Sequence, residues 1–115
     1  MVKSKLIKQG DLIWINLDPV FGHEQGGRRP AVVISGDSYN EMSGLMLICP
    51  ITLQTKGFPF ELPFSSKKIK GIILTDQIRC VDWKNSNRKC DIKGSISNDI
   101  LQKICKKISK LIEIP

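Results

Sequence analysis

Apolar residues along this chain fall into short runs broken by glycine, proline and charged residues, until Ser97, where the spacing changes. Asp11 to Leu17 (DLIWINL) carries β-branched and aromatic residues and stops at Asp18-Pro19, which predicts a first strand. Ala31 to Ser35 (AVVIS) and Leu45 to Pro50 (LMLICP) are buried-strand candidates, joined by a polar link, GDSYNEMSG, with room for a helical turn. The stretch ITLQTKGFPFELPF contains Pro59 and Pro63, and because proline cannot donate to a ladder it suits a bent edge strand. Ile72 to Leu74, Gln77 to Trp83 and a short piece within Lys89 to Ile96 complete the strands. Beyond Ser97 the period becomes 3.6: Ile100, Leu101, Ile104, Cys105, Ile108, Leu111 and Ile112 share one face, with Lys103, Lys106, Lys107 and Lys110 opposite. This predicts an amphipathic C-terminal α-helix, N-capped by Ser97, whose lysines read as a solvated face that also favours the helix dipole. Short strands with glycine or proline at their corners indicate a mainly β protein, a small barrel closed by that helix.

With 115 residues the chain forms a single domain, residues 1–115, and with 41% hydrophobic and 25% charged residues it has the composition of a globular protein. The longest apolar stretch, around Leu45 to Ile51, is interrupted by Pro50 and is far shorter than the ~20 residues of a bilayer-spanning helix. The N-terminal MVKSKLIKQG is charged without an apolar core, so no secretory signal is expected and a cytoplasmic location is. The net charge of +7 is unevenly placed: residues 1–60 hold six basic and five acidic groups, residues 61–115 twelve and six. Such an excess suits either a polyanionic partner or a solubilising surface. The four cysteines, Cys49, Cys80, Cys90 and Cys105, lack metal-ligand spacing and there is one histidine, so no metal or other cofactor is expected. Reduced thiols are the expectation, with Cys49 and Cys105 in apolar patterns that read as core.

Chemistry concentrates in the loop DPVFGHEQGGRRP, Asp18 to Pro30. His23, Glu24, Gln25, Arg28 and Arg29 lie within seven positions, among Gly22, Gly26 and Gly27. Glycines let a ligand approach the backbone closely. Guanidinium donors suit phosphate oxygens, and an imidazole or carboxylate can move a proton, so the set fits a phosphodiester; a salt-bridged surface loop is the plain alternative.

The segment GDLIWINLDPVFGHEQGGRRPAVVIS, Gly10 to Ser35, resembles the MazF/PemK (Kid) family of toxins from toxin–antitoxin modules, and the likeness continues through CPITLQTKGFPFELP and TDQIRCVDW. The resemblance implies an SH3-like β-barrel with a C-terminal helix, a homodimer, and metal-independent cleavage of single-stranded RNA under control of a cognate acidic antitoxin. In the implied reaction the RNA 2′-hydroxyl attacks the adjacent phosphate, giving 2′,3′-cyclic phosphate and 5′-hydroxyl ends. The catalytic pair of the MazF branch falls on Arg29, of the R-P step, and Thr52, of P-I-T. Arginine is a poor base but well suited to charge on a phosphorane, so proton transfer needs another group, for which His23 and Glu24 are nearest in sequence. The PemK/Kid branch would use His23 and Asp76, but its arginine two residues before the aspartate is Leu74 here, so the Arg29–Thr52 arrangement fits better.

For RNA contact the resemblance and side-chain chemistry together suggest Gln25, Arg28, Lys56, Phe21, and Asp76 and Gln77 of the D-Q step. An amide reads a base edge, an ammonium binds phosphate and a ring stacks on an unpaired base. Barrel or interface packing is an equal alternative for Phe21. Trp14 and Trp83 read as core or dimer packing, and Asp11 and Asp18 as strand ends. A rival function keeps the fold and drops the chemistry: CcdB toxins share this barrel and dimer and act by gripping a protein target such as DNA gyrase, without nuclease activity. A non-catalytic RNA-binding barrel is a third reading, which leaves the loop chemistry unexplained.

Overall fold

The structure, a computed structural model, describes residues 6–113. Among the described residues, seven strands and two helices run in the order β1 (Asp11–Asn16), β2 (Arg28–Val33), α1 (Asp37–Ser43), β3 (Leu45–Thr52), β4 (Glu61–Ser65), β5 (Lys70–Leu74), β6 (Arg79–Asp82), β7 (Asp91–Ser95) and α2 (Asn98–Leu111). All the pairings are antiparallel, in the order β4-β5-β3-β2-β1-β7, with β6 also on β3. The longest strand, β3, makes the sheet curl. Leu45 to Ile48 pair with β6, whereas Ile51 and Thr52 pair with β5, so two wings of sheet leave β3 at different points along its length. The half-barrel plus C-terminal helix agrees with the mainly β expectation.

Both faces of the central strands are buried, which is why β1 reads as a nearly continuous apolar run. Side chains alternate across a strand. Ile13, Ile15, Ala31, Val33, Met46, Ile48 and Val81 fill one cluster on one face. Leu12, Val32, Cys49, Ile51, Ile73 and Ile104 fill a second on the opposite face, under α2. Trp83 packs against the first and Trp14 against the second, as the core alternative expected. The Trp83 indole N–H donates to the carbonyls of Asn40 and Leu45, both at 3.1 Å.

Ser97 caps α2, its hydroxyl accepting the Ile100 N–H at 3.3 Å. The apolar face of α2 is narrower than its sequence suggests. Ile104 is fully buried, with Ile100 and Ile108 packed one turn to either side, while Cys105, Leu111 and Ile112 are exposed. Cys105 is therefore not a core residue: the barrel offers α2 one shallow surface, and i, i+4, i+8 side chains exhaust it. Cys49 is buried as expected, and burial pushes its thiol up to about 12. No helix among the described residues is long and apolar enough to cross a membrane.

Candidate active site

Arg28 and Arg29 are strand residues, not loop residues. They open β2 opposite Asn16 and Ile15 of β1, so the true loop between the strands is shorter than Asp18 to Pro30. Strand alternation sends the two arginines to opposite faces. Arg29 has the parity of Ala31 and Val33 of the first cluster, and Thr52, ending β3, that of Met46 and Ile48 of the same cluster. The β2–β3 register pairs Ala31 with Pro50 and Val33 with Ile48, and continued by two residues it sets Arg29 opposite Thr52. Directly opposed side chains on one face are neighbours. Arg29 and Thr52 do line one cavity, of about 490 Å³, together with His23, Glu24, Gln25 and Gln54.

A second cavity of about 210 Å³ shares His23, Gln25, Thr52 and Gln54 with the first and extends over Lys56, Asp76 and Gln77. Eight of the ten residues expected at the site therefore line one continuous cleft. Phe21 and Arg28 do not. Phe21 is 78% exposed, so packing inside the barrel does not account for it. Arg28 forms an ion pair with Asp91 and donates to the Lys89 carbonyl at 2.7 Å.

Several restraints hold this cleft open. The Arg29 Nε–H donates to the Gly26 carbonyl at 2.7 Å, which orients the guanidinium. Asp18 Oδ1 accepts the Gly27 N–H at 2.9 Å, closing the loop on itself, and the Gln25 N–H donates to Gln77 Oε1 at 2.9 Å, tying it to the β5–β6 turn. The Glu24 carboxylate accepts the Phe21 N–H at 3.2 Å. At the loop's root, Arg88 donates to the Asn16 and Asp18 carbonyls and Arg79 to that of Leu17. Across the cleft, Thr52 is buried and its Oγ1 accepts the Gln54 N–H at 3.3 Å, leaving the hydroxyl hydrogen for another acceptor. Gly71 lets β5 approach: a Cβ there would sit 2.5 Å from the Thr52 carbonyl oxygen. Glu61 organises the β3–β4 loop by accepting from the Thr55 hydroxyl at 2.6 Å and from the N–H groups of Lys56 and Gly57. These bonds, the Thr55 hydroxyl foremost, hold its carboxyl below the usual glutamate range against the opposing effect of burial.

Sequence reasoning missed Gln54, Glu61, the stacked rings of Phe58 and Phe60 along the cleft, and the anchoring role of Arg79 and Arg88. Gln54 stands two residues after Thr52, and that proximity was the signal for it. Among the described residues, no three of His, Cys, Asp and Glu gather as a metal site would.

A cleft that sets an arginine, a lysine and a hydroxyl, all donors for phosphate oxygens, beside an imidazole and carboxylates, on a small curled sheet of a chain with net charge +7, has the chemistry to hold a phosphodiester. The family model described as PemK-like, MazF-like toxin of type II toxin–antitoxin systems matches residues 8–112. The endoribonuclease toxin MazF of Escherichia coli K12 is 42% identical over 112 residues, 97% of this chain and 99% of the relative. The crystal structure of MazF from Deinococcus radiodurans superposes with a TM-score of 0.88 at 37% identity, covering 96% of this chain and all of that one. A MazE–MazF complex from the same organism gives 0.80 at 32% identity over 97% of this chain. The chain belongs to the PemK/MazF-like family of toxins.

Proposed function

We propose that the protein is a toxin endoribonuclease that cleaves single-stranded RNA at a short motif in the cytoplasm, without a metal, as a homodimer restrained by a cognate acidic antitoxin. Arg29 and Thr52 stabilise the transition state. The RNA 2′-oxygen bonds to phosphorus and the P–O5′ bond breaks, leaving a 2′,3′-cyclic phosphate and a 5′-hydroxyl that gains a proton. The guanidinium, which keeps its proton at physiological pH, and the Thr52 hydroxyl donate to the oxygens where negative charge gathers. In the cavity that Arg29 and Thr52 share, His23 and Glu24 are the two groups able to take the 2′-hydroxyl proton and return one to O5′. Gln25, Lys56, Asp76 and Gln77 hold the nucleotides beside the cut, Phe21 offers an exposed ring for stacking, and Arg28 adds positive charge.

The observation that carries this reading is the shared wall of Arg29 and Thr52 in a cleft that also holds an imidazole and a carboxylate. A grip on a protein target needs no such set. The antitoxin follows from the family and from the solved MazE–MazF relative, and the charge of +7 suits an acidic chain lying in the same cleft. The test is a pH–rate profile of His23→Gln and Glu24→Gln on one RNA substrate. The variant that loses a limb of the wild-type profile identifies the proton carrier, and RNA left uncut by the wild type would favour the protein-gripping alternative.

A further inference from the structure

The cleft does not end at Arg29 and Thr52. On the side away from Asp76 and Gln77, these two residues and Leu53 also line a trough of about 360 Å³, whose other walls include Trp14, Arg28, Lys68, Ile69 and Lys70. The trough differs in charge from the rest of the cleft. The first cavity includes Glu24 and the second Glu61 and Asp76, whereas no carboxylate lines the trough. Arg29 lines both the first cavity and the trough, and Arg28 lines the trough alone.

The backbone that carries the two exposed lysines is fixed. Ile69, between them, is buried in the second cluster. The turn that carries Lys68 is closed by the Ser66 N–H and hydroxyl on the Ile69 carbonyl, at 2.8 and 2.9 Å. Among the described residues neither Lys68 nor Lys70 forms an ion pair, whereas Arg28 already spends its guanidinium on Asp91 and the Lys89 carbonyl. Trp14, half-buried on the second cluster, forms part of the wall.

We infer that this trough is a second RNA subsite, in which Lys68 and Lys70 bind phosphates on one flank of the scissile step and the Trp14 indole supports an unpaired base. The inference rests on the endoribonuclease reading, because continuity with the reacting phosphate through Arg29 and Thr52 selects RNA as the occupant. Free cations beside an aromatic surface are what a single strand needs there. The enzyme then grips its substrate asymmetrically: the Gln77 side offers amides and carboxylates to base edges, and the Lys70 side offers charge to the backbone irrespective of base.

The experiment uses RNA oligonucleotides around a mapped cleavage motif, extended on both sides, on the 5′ side only or on the 3′ side only. Binding is read by fluorescence anisotropy on the same oligonucleotides with 2′-deoxyribose at the cut, which removes the nucleophile. The Lys68→Gln/Lys70→Gln variant is expected to raise KM about tenfold on substrates bearing one of the two flanks, with kcat unchanged, and to behave as wild type on the substrate lacking that flank. The slope of log affinity against log salt should shrink by ~1.4 on the flanked RNA, two phosphates' worth for a single strand, and not at all on the truncated one. Lys68→Arg/Lys70→Arg should restore both. Wild-type cleavage of the truncated substrate reports separately on the catalytic reading. An equal loss on all three substrates, or unchanged KM and salt slope on each, which would leave the trough to a protein partner, overturns the inference.

Discussion

A single methyl group added at Gly26 tests how the loop aims Arg29. The Gly26 carbonyl receives the Arg29 Nε–H, and the next N–H, of Gly27, donates to Asp18. A Cβ on Gly26 would lie 2.7 Å from Val20 Cγ2 and 2.9 Å from Asp18 Oδ1. Gly26 is not among the residues with positive φ, so the cost of Gly26→Ala is steric rather than conformational. Overpacking of this kind costs ~1–3 kcal/mol. The loop can relieve it by giving up the Asp18–Gly27 bond and swinging away from Arg29. At ~1.4 kcal/mol per factor of ten, the population that still orients the guanidinium falls roughly 5- to 150-fold. The expected result is a kcat lowered about 10- to 100-fold with a melting temperature within a few degrees of wild type, because the strands beneath keep their pairing. Single-turnover cleavage of a labelled oligonucleotide, beside a thermal melt, reads both. Gly36→Ala is the control: its Cβ meets nothing within 4 Å, at φ −69°, and activity should be unchanged. Full activity in Gly26→Ala would refute the argument that this loop positions Arg29.

Ile104→Ala should cost ~2–5 kcal/mol in denaturant unfolding, because Ile104 is the one fully buried contact of α2 among the described residues; a loss under 1 kcal/mol would show that the helix is held otherwise. Glu61 is depressed below the ordinary glutamate value, so its contribution to loop order is present above that value and lost as pH falls through its lower folded value. RNA affinity should accordingly weaken in acid, below the ordinary glutamate range, and Glu61→Gln should remove that limb while weakening binding at neutral pH; an identical acid limb in the variant contradicts this role. Light scattering at micromolar concentration should report a particle of twice 12.9 kDa, since exposed Leu111, Ile112 and Ile78 leave apolar surface for a second copy, and a 12.9 kDa particle would contradict the dimer.

What was legible in the sequence follows from how local each signal is. DLIWINL and the Ser97 cap carry their own pattern, and β1 and α2 stand within a residue or two of where that pattern put them. Arg-Arg-Pro has no strand signature, so the sequence alone places Arg28 and Arg29 in the loop; only pairing with Asn16 and Ile15 makes them strand. Thr52 was likewise left beyond the third strand, although its backbone pairs with Ile72. The stretch from Ile51 to Phe64 divides three ways: its first two residues extend β3, residues 53–60 form the loop that Glu61 organises, and the remainder is the edge strand β4. No sequence window could show Glu61 accepting from Thr55, Arg79 reaching Leu17, or Lys70 arriving beside Arg28. The last two depend on the curl of the sheet, and so do the cleft and the trough beyond it.

The central claim is that Arg29 and Thr52 perform metal-independent cleavage, and one measurement bears on it most directly. Wild type, Arg29→Ala and Thr52→Ala are compared in single-turnover cleavage of one mapped RNA in excess EDTA, with the chemistry of the new 5′ ends determined. The wild type is expected to cut and leave 5′-hydroxyl ends, and each variant to lose ~10²-fold or more in rate while melting as a folded protein, as removal of a transition-state donor entails. Cleavage that stops in EDTA, 5′-phosphate products, or near-wild-type turnover by folded Arg29→Ala would contradict it.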